Sequence, residues 1–268
     1  PLAFGTIPIH VNLTIDQLKE LLELRPQLAN DPKFVDIWLA KLRPGEDESV
    51  ELNPGTRVAY IDRLWSYVES LDPVFNSLKA NVLYQKLDLA RHRGEYPREP
   101  FMAYLALPRI LNYVEPKYLE RREVKAFPVN LDENFSERIG FGPIRSDEEL
   151  VREYLEQFLK EDENYNRFSA FIKEPYLKRV FAEAKLLYGV GEAEKWFSML
   201  SPGEVQNLKD RIEISFARVN ATNFEVGDDV SLALDLKHVD ELIVKVYEIN
   251  SLNFYLDQKR EVNTDLKL

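Results

Sequence analysis

The chain has 268 residues, 45% of them hydrophobic, and 35 Lys+Arg against 46 Asp+Glu give a net charge of −11. That length buries a sizeable core in one large or two modest domains, while the acidic balance repels phosphate backbones and speaks against nucleic acid. Zero cysteines exclude disulfides, thiolate metal sites and Cys nucleophiles within these residues, and no run approaches the roughly 18 apolar residues of a membrane-spanning helix.

Thr14 and Asp16 announce a first helix with Ile15, Leu18, Leu21 and Leu22 on one face, and Pro26 stops it. Asn30-Asp31-Pro32 opens a second, carrying Phe34, Ile37, Trp38 and Leu42, which ends at Pro44-Gly45. The acidic run Glu46-Asp47-Glu48 follows and reads as a solvated turn. A third helix holds Val58, Ile61, Leu64, Trp65 and Val68; a Leu71-Asp72-Pro73 corner then leads into a fourth with Phe75, Leu78, Val82 and Leu89 on one side. Two long helices joined by so short a corner predict an antiparallel or steeply crossed pair.

A shorter helix from Phe101 to Leu107 ends at Pro108, and from there to Pro143 periodicity is weak, with several Pro and Gly. Long irregular connections are uncommon in compact domains, so this one either wraps the helices or has a role of its own. Ser146-Asp147-Glu148-Glu149 has the form of a capping box. It precedes the stripe Leu150, Val151, Tyr154, Leu155, Phe158 and Leu159. A further helix after Pro175 carries Leu177, Val180, Phe181, Ala184, Leu187 and Tyr188 to a stop at Gly189; a short one through Trp196 and Phe197 follows, and Ser201-Pro202-Gly203-Glu204 forms a second capping box.

Past Arg211 the apolar period changes from three and four to two. Strands are expected at Ile212–Val219, Val230–Lys237, Leu242–Ile249, Leu252–Leu256 and Val262–Leu268. The predicted fold class is therefore α + β in separate domains: an irregular all-α bundle or solenoid over residues 1–208, then an incomplete antiparallel β-sandwich over residues 209–268. Five strands in sixty residues fall short of the roughly seven strands and 100 residues of a sandwich, so this second domain is expected to be truncated. Leu242–Ile249 is apolar on both faces, which predicts that one of them is covered, with the helical part the natural cover.

Phe224-Glu225-Val226-Gly227-Asp228-Asp229-Val230, followed by Leu232, Leu234 and Leu242-Ile243-Val244-Lys245-Val246-Tyr247, resembles the opening of a macroglobulin-type β-sandwich domain. Such domains commonly have Pro where this chain has Val226. The resemblance implies a non-catalytic scaffold in a large exported protein of the α2-macroglobulin type, hence a periplasmic or extracellular setting.

His10, His92 and His238 lie in different elements and lack ligand spacing, and phosphate loops, H-E-x-x-H and G-x-S-x-G are absent, so no metal, cofactor or catalytic group is assigned. Trp38, Trp65 and Trp196 fall on apolar stripes and read as core. The candidate binding residues are Tyr84, His92, Arg93, Tyr96, Arg98, Tyr104 and Arg109, with Phe101 among them: rings and positive charge gathered in one helix, corner and helix. They suit a carboxylate or a partner's acidic loop, or else an internal salt-bridge network. The expected function is a non-catalytic scaffold or protein-interaction segment of a multidomain protein, whose partners are its own other domains and a second protein at the open β edge. The alternative is an accessory region of a polysaccharide- or peptide-processing enzyme, recognisable by a concave pocket of rings and convergent charge.

Overall fold

Among the described residues, seven longer helices cover most of the chain between Ile15 and Leu187: α1 (Ile15–Leu24), α2 (Pro32–Leu42), α3 (Pro54–Val68), α4 (Asn76–His92), α5 (Arg98–Leu105) and, after an irregular stretch, α6 (Glu148–Leu159), which packs on α7 (Glu174–Leu187). A short helix at Ala193–Phe197 and α8 (Pro202–Asp210) close the helical body. The computed structural model describes residues 4–45, 54–217, 220–221, 224 and 226–259; Glu46-Asp47-Glu48 and Val262–Leu268 lie outside them.

Helix starts follow local chemistry. Thr14 accepts from the Gln17 amide while the Gln17 side chain accepts from the Thr14 amide, and Asp31 accepts from the amides of Lys33 and Phe34 ahead of Pro32. Ser201 and Glu204 form the same reciprocal cap on α8. Ser146 does not: it is exposed, α6 begins at Glu148, and its flanking residue Asp147 makes no side-chain cap. The carboxylate of Asp147 is turned into the protein instead, where a buried cation holds it.

Two apolar cores share α4. Leu78 and Val82 pack with α1, α2 and α3, including Leu18, Phe34, Leu39, Ile61 and Leu64. From its other side Ala80, Leu83 and Leu87 join Phe101, Tyr104, Tyr154, Leu155, Phe168 and Leu177. The sequence pattern displayed only the first of these faces, because a helix buried on two sides has little amphipathic contrast. Phe101 stacks on Tyr154 at 4.9 Å and lies edge-on to Phe168, so ring contacts dominate the second core. Trp38 stacks on Tyr67 at 4.5 Å in the first, and Trp196 is buried against Phe181; these two tryptophans are core, and Trp65 is half-buried between both clusters.

The stretch from Pro108 to Pro143 wraps the helices. Its only regular pieces among the described residues are single turns at Pro116–Leu119, Arg122–Lys125 and Ser136–Ile139. Its backbone groups are taken up by side chains of the helical body: Asn76 Nδ2 donates to the Phe127 carbonyl (2.9 Å), Asn81 Nδ2 to that of Gly142 (2.9 Å) and the Tyr60 hydroxyl to that of Ile139 (3.0 Å). Irregular backbone lies this close to a core only when its polar groups are satisfied.

The C-terminal part differs from the five-strand expectation. Among the described residues it holds one two-stranded antiparallel sheet, β1 (Glu213–Phe216) with β2 (Leu234–Lys237), in the register Ile214↔Leu236 and Phe216↔Leu234. Leu242–Ile249 has no regular structure and its apolar side chains from Leu242 to Tyr247 are exposed, so the helical body does not cover them. Leu252–Leu256 lies in a helix, α9 (Ser251–Gln258), whose N-cap Asn250 accepts from the Asn253 amide. Leu252, Tyr255 and Leu256 also satisfy the i, i+3, i+4 spacing, and in so short an apolar run that fits a helix as well as a strand.

Candidate functional site

The seven candidate residues occupy three separate settings rather than one groove. His92 and Arg93 stand exposed at the end of α4. The His92 Nδ1 lies 2.7 Å from the Asp88 carbonyl oxygen, the helix-end contact its position predicts, and Arg93 pairs with Glu95 at 2.9 Å. Tyr96 donates to Glu153 (2.9 Å), and the same carboxylate receives Arg91 (3.0 Å), a buried arginine also paired with Asp88 (2.7 Å). Burial pushes the Tyr96 phenol up, and the bond to Glu153 adds to it. Arg98 grips Asp162 through both terminal nitrogens (3.0 and 3.3 Å) while lying over the Phe158 ring.

The third setting is fully buried. Arg109 donates from Nη1 to Asp147 (2.6 Å) and to the Tyr113 hydroxyl (2.9 Å), and its guanidinium lies 4.6 Å from the Tyr104 ring centre. Tyr104 donates to Asp147 (2.7 Å), and Tyr113 donates to its other oxygen. Three donors thus converge on one carboxylate, which compensates for burying it. Burial pulls the Arg109 pKa down, but Tyr113, Asp147 and Tyr104 outweigh it, so the cation stays firmly charged. The Tyr104 and Tyr113 phenols are pushed up, chiefly by burial. Tyr84 lies at the edge of this group, its ring 6.5 Å from that of Tyr104.

Tyr113, Asp147, Arg91, Glu153 and Asp162 complete these contacts and were not singled out from the sequence. Asp147 was hidden in an apparent capping box, and the acids lie 57 to 64 residues from their partners, beyond any local signal. A ring-lined cleft of about 370 Å³ lies instead between Tyr113, Lys173, Tyr176, Arg179, Glu148 and Glu204. Lys173 there donates to the Asn112 carbonyl, Arg179 lies over the Tyr176 ring, and Glu204 is held by the α8 cap, which also lowers its pKa. No group of three or more His, Asp or Glu with metal-binding geometry occurs among the described residues.

A family model described as the actin-binding protein F N-terminal domain matches residues 1–212. Actin-binding protein F of Dictyostelium discoideum is 27% identical over 273 residues, an alignment that covers 99% of this chain and 11% of that protein. The chain therefore spans about a ninth of the length of the curated relative it matches. No solved structure matches it. These findings overturn the macroglobulin resemblance: the match runs through the helical body and on across the segment that carried that resemblance, and the strands a macroglobulin-type sandwich needs are missing among the described residues. The periplasmic or extracellular setting rested on that resemblance and is withdrawn with it. By the extent of its match, the chain belongs to the actin-binding protein F N-terminal domain family.

Proposed function

We propose that this chain is a non-catalytic protein-interaction segment of a larger cytoskeletal protein, and that its helical body contacts actin in the cytoplasm. The observation that carries the reading is the coincidence of the family match, residues 1–212, with the helical body, which ends at Asp210. It accords with a division of the chain into an interaction domain over residues 1–208 and a separate β-containing unit over residues 209–268. Within the corner from Tyr84 to Arg109, the ion pairs of Arg91, Arg98 and Arg109 make an internal framework, while His92 and Arg93 stand exposed as groups for a partner. The rings and charges of that corner do not open on a shared groove, which supports the interaction reading over an enzyme accessory at that corner.

Co-sedimentation tests the reading. The purified chain is expected to pellet with filamentous actin in a saturable manner and to stay in the supernatant without it. A chain that remains in the supernatant at all actin concentrations up to tens of micromolar ends the proposal.

A further inference from the structure

Along α7, Tyr176 and Arg179 lie one turn apart and line the cleft of about 370 Å³ together with Tyr113, Lys173, Glu148 and Glu204. Two covered atoms of its wall, the Tyr176 Oη and the Arg179 Nε, have no hydrogen-bond partner among the described residues. Buried polar atoms of folded proteins are nearly always paired, so this wall is one that the chain leaves unfinished. Among the same residues Arg179 makes no ion pair either, whereas Arg91, Arg98, Arg109, Arg138 and Arg152 all have theirs. Its helical neighbour Glu183 is taken by Arg152 at 2.8 Å. The terminal nitrogens of Arg179 are uncovered, and no described residue bonds them. The guanidinium is nonetheless held in place. It lies 5.2 Å from the centre of the Tyr176 ring, Tyr176 stacks on Tyr113 at 5.1 Å, and Tyr113 is tied to the buried Arg109 and Asp147. Lys173, just ahead of α7, donates from its amide to the Tyr113 carbonyl (2.9 Å) and from its ammonium to that of Asn112, which leaves further ammonium donors free.

The acids of the cleft are already compensated. Glu148 opens α6, where the first-turn amides favour a negative charge. Glu204 accepts from the Ser201 amide and hydroxyl, and chiefly these bonds lower its pKa, with Arg179 adding through space. The two cations have no carboxylate partner among the described residues. We infer that this cleft takes an acidic side chain of a partner protein, its carboxylate gripped by the terminal nitrogens of Arg179 with Lys173 as the second cation. A planar fork fixed against a ring receives a carboxylate through two parallel bonds, and little freedom is lost when it does. Charge selects the occupant. A phosphate, with about twice the charge of a carboxylate, would be pressed against both Glu148 and Glu204. An acidic residue brings a single charge, and the peptide N–H groups beside it are donors that those two rim acids accept. Such a site rests on the reading of the chain as an interaction segment, whichever protein is the partner.

The test follows amide shifts of the isotope-labelled 268-residue chain as an acetylated, amidated hexapeptide of alternating Asp and Gly is added at low salt. The same peptide with Asn for every Asp, and inorganic phosphate, are the comparison probes. The Asp peptide is expected to shift the amides from Lys173 to Arg179 saturably, with a Kd of about 1 mM or below. The Asn peptide and phosphate are expected to bind about tenfold more weakly or not at all. Arg179→Gln is expected to weaken the Asp peptide about tenfold, and Arg179→Lys to recover only part of that loss, since an ammonium lacks the fork. Lys173→Gln, about threefold weaker, repeats the test should Arg179→Gln lower the helical content. Four results overturn the inference: no saturable shift up to about 5 mM peptide, Asn peptide or phosphate binding as tightly as the Asp peptide, folded Arg179→Gln or Lys173→Gln binding undiminished, or shifts that gather at His92 and Arg93 instead. Peptide binding without pelleting keeps the site and removes actin as its partner, whereas pelleting without peptide binding overturns the site and leaves the actin reading in place.

Discussion

Asp147 shows how a single side chain misleads a reader and then organises a core. In sequence it stands where a helix cap is expected; in the structure it gathers Tyr104, Arg109 and Tyr113 from α5 and the irregular stretch and pins them to the start of α6. Asp147→Ala strands a buried guanidinium and is expected to cost about 3–5 kcal/mol, measured by urea unfolding. The fourfold apolar replacement Tyr104→Phe, Arg109→Met, Tyr113→Phe, Asp147→Leu is expected to cost less than that single change, since desolvated charge leaves together with its partners. An equal or larger loss would show that the tie contributes more than compensation. Alkaline pH probes the buried phenols of both cores. Tyr67, Tyr96, Tyr104, Tyr113, Tyr154 and Tyr176 all have phenols pushed above the ordinary 10.0, first of all by burial. The folded state favours their neutral form, so their contribution is intact below pH 10 and is lost as pH rises through the folded-state values. Stability is expected to fall steeply above pH 10, with phenolate absorbance appearing together with loss of helix rather than before it. The arginines and rings of this corner were grouped from the sequence because they lie close along the chain, and the structure divides them among three settings. Their acidic partners were not legible, because tertiary packing alone brings residues so distant in the chain together.

Helix ends were legible at Thr14, Asp31 and Ser201, where the cap is local, and failed at Ser146, where Asp147 is drawn into the protein, and at Asp72, which makes no side-chain cap ahead of α4. The two capping boxes make that difference measurable. Ser201→Ala removes a cap that satisfies the Glu204 amide and is expected to cost about 1 kcal/mol, whereas Ser146→Ala, at an exposed residue outside α6, is expected to fall within about 0.5 kcal/mol of the parent in thermal unfolding. The stripe on α6 was read correctly because only one of its faces is buried. On α7 the inner positions Leu177, Val180, Phe181 and Ala184 are buried, while Leu187 and Tyr188 at its end are exposed. The strands past Arg211 were over-read because alternation of apolar residues states which side chains share a face and not which strand will pair with them. Within the described residues one four-residue ladder forms, and its apolar pairs are Ile214–Leu236 and Phe216–Leu234.

For the molecule as a whole, the change of period near Arg211 was the informative signal, and it falls at the end of the family match. The kind of β unit was not legible, since a short acidic turn followed by alternating Val and Leu is too generic to specify a family. If the helical body is an independent domain, removing residues 213–268 is expected to leave its thermal midpoint within about 2 °C, by calorimetry, and a drop of 10 °C or more would show that the ribbon supports it. Within that body, α4 has a consequence for how the protein comes apart. One wall serves two rooms: the layer of α1 to α3 and the layer of α5 to α7 both lean on Asn76–His92, so neither is able to melt while the other stays whole. Unfolding is accordingly expected to be all-or-none across residues 15–187, and a pull applied across the helical body would meet one yield point rather than two, with the amides of α4 the last to surrender their protons to heavy water.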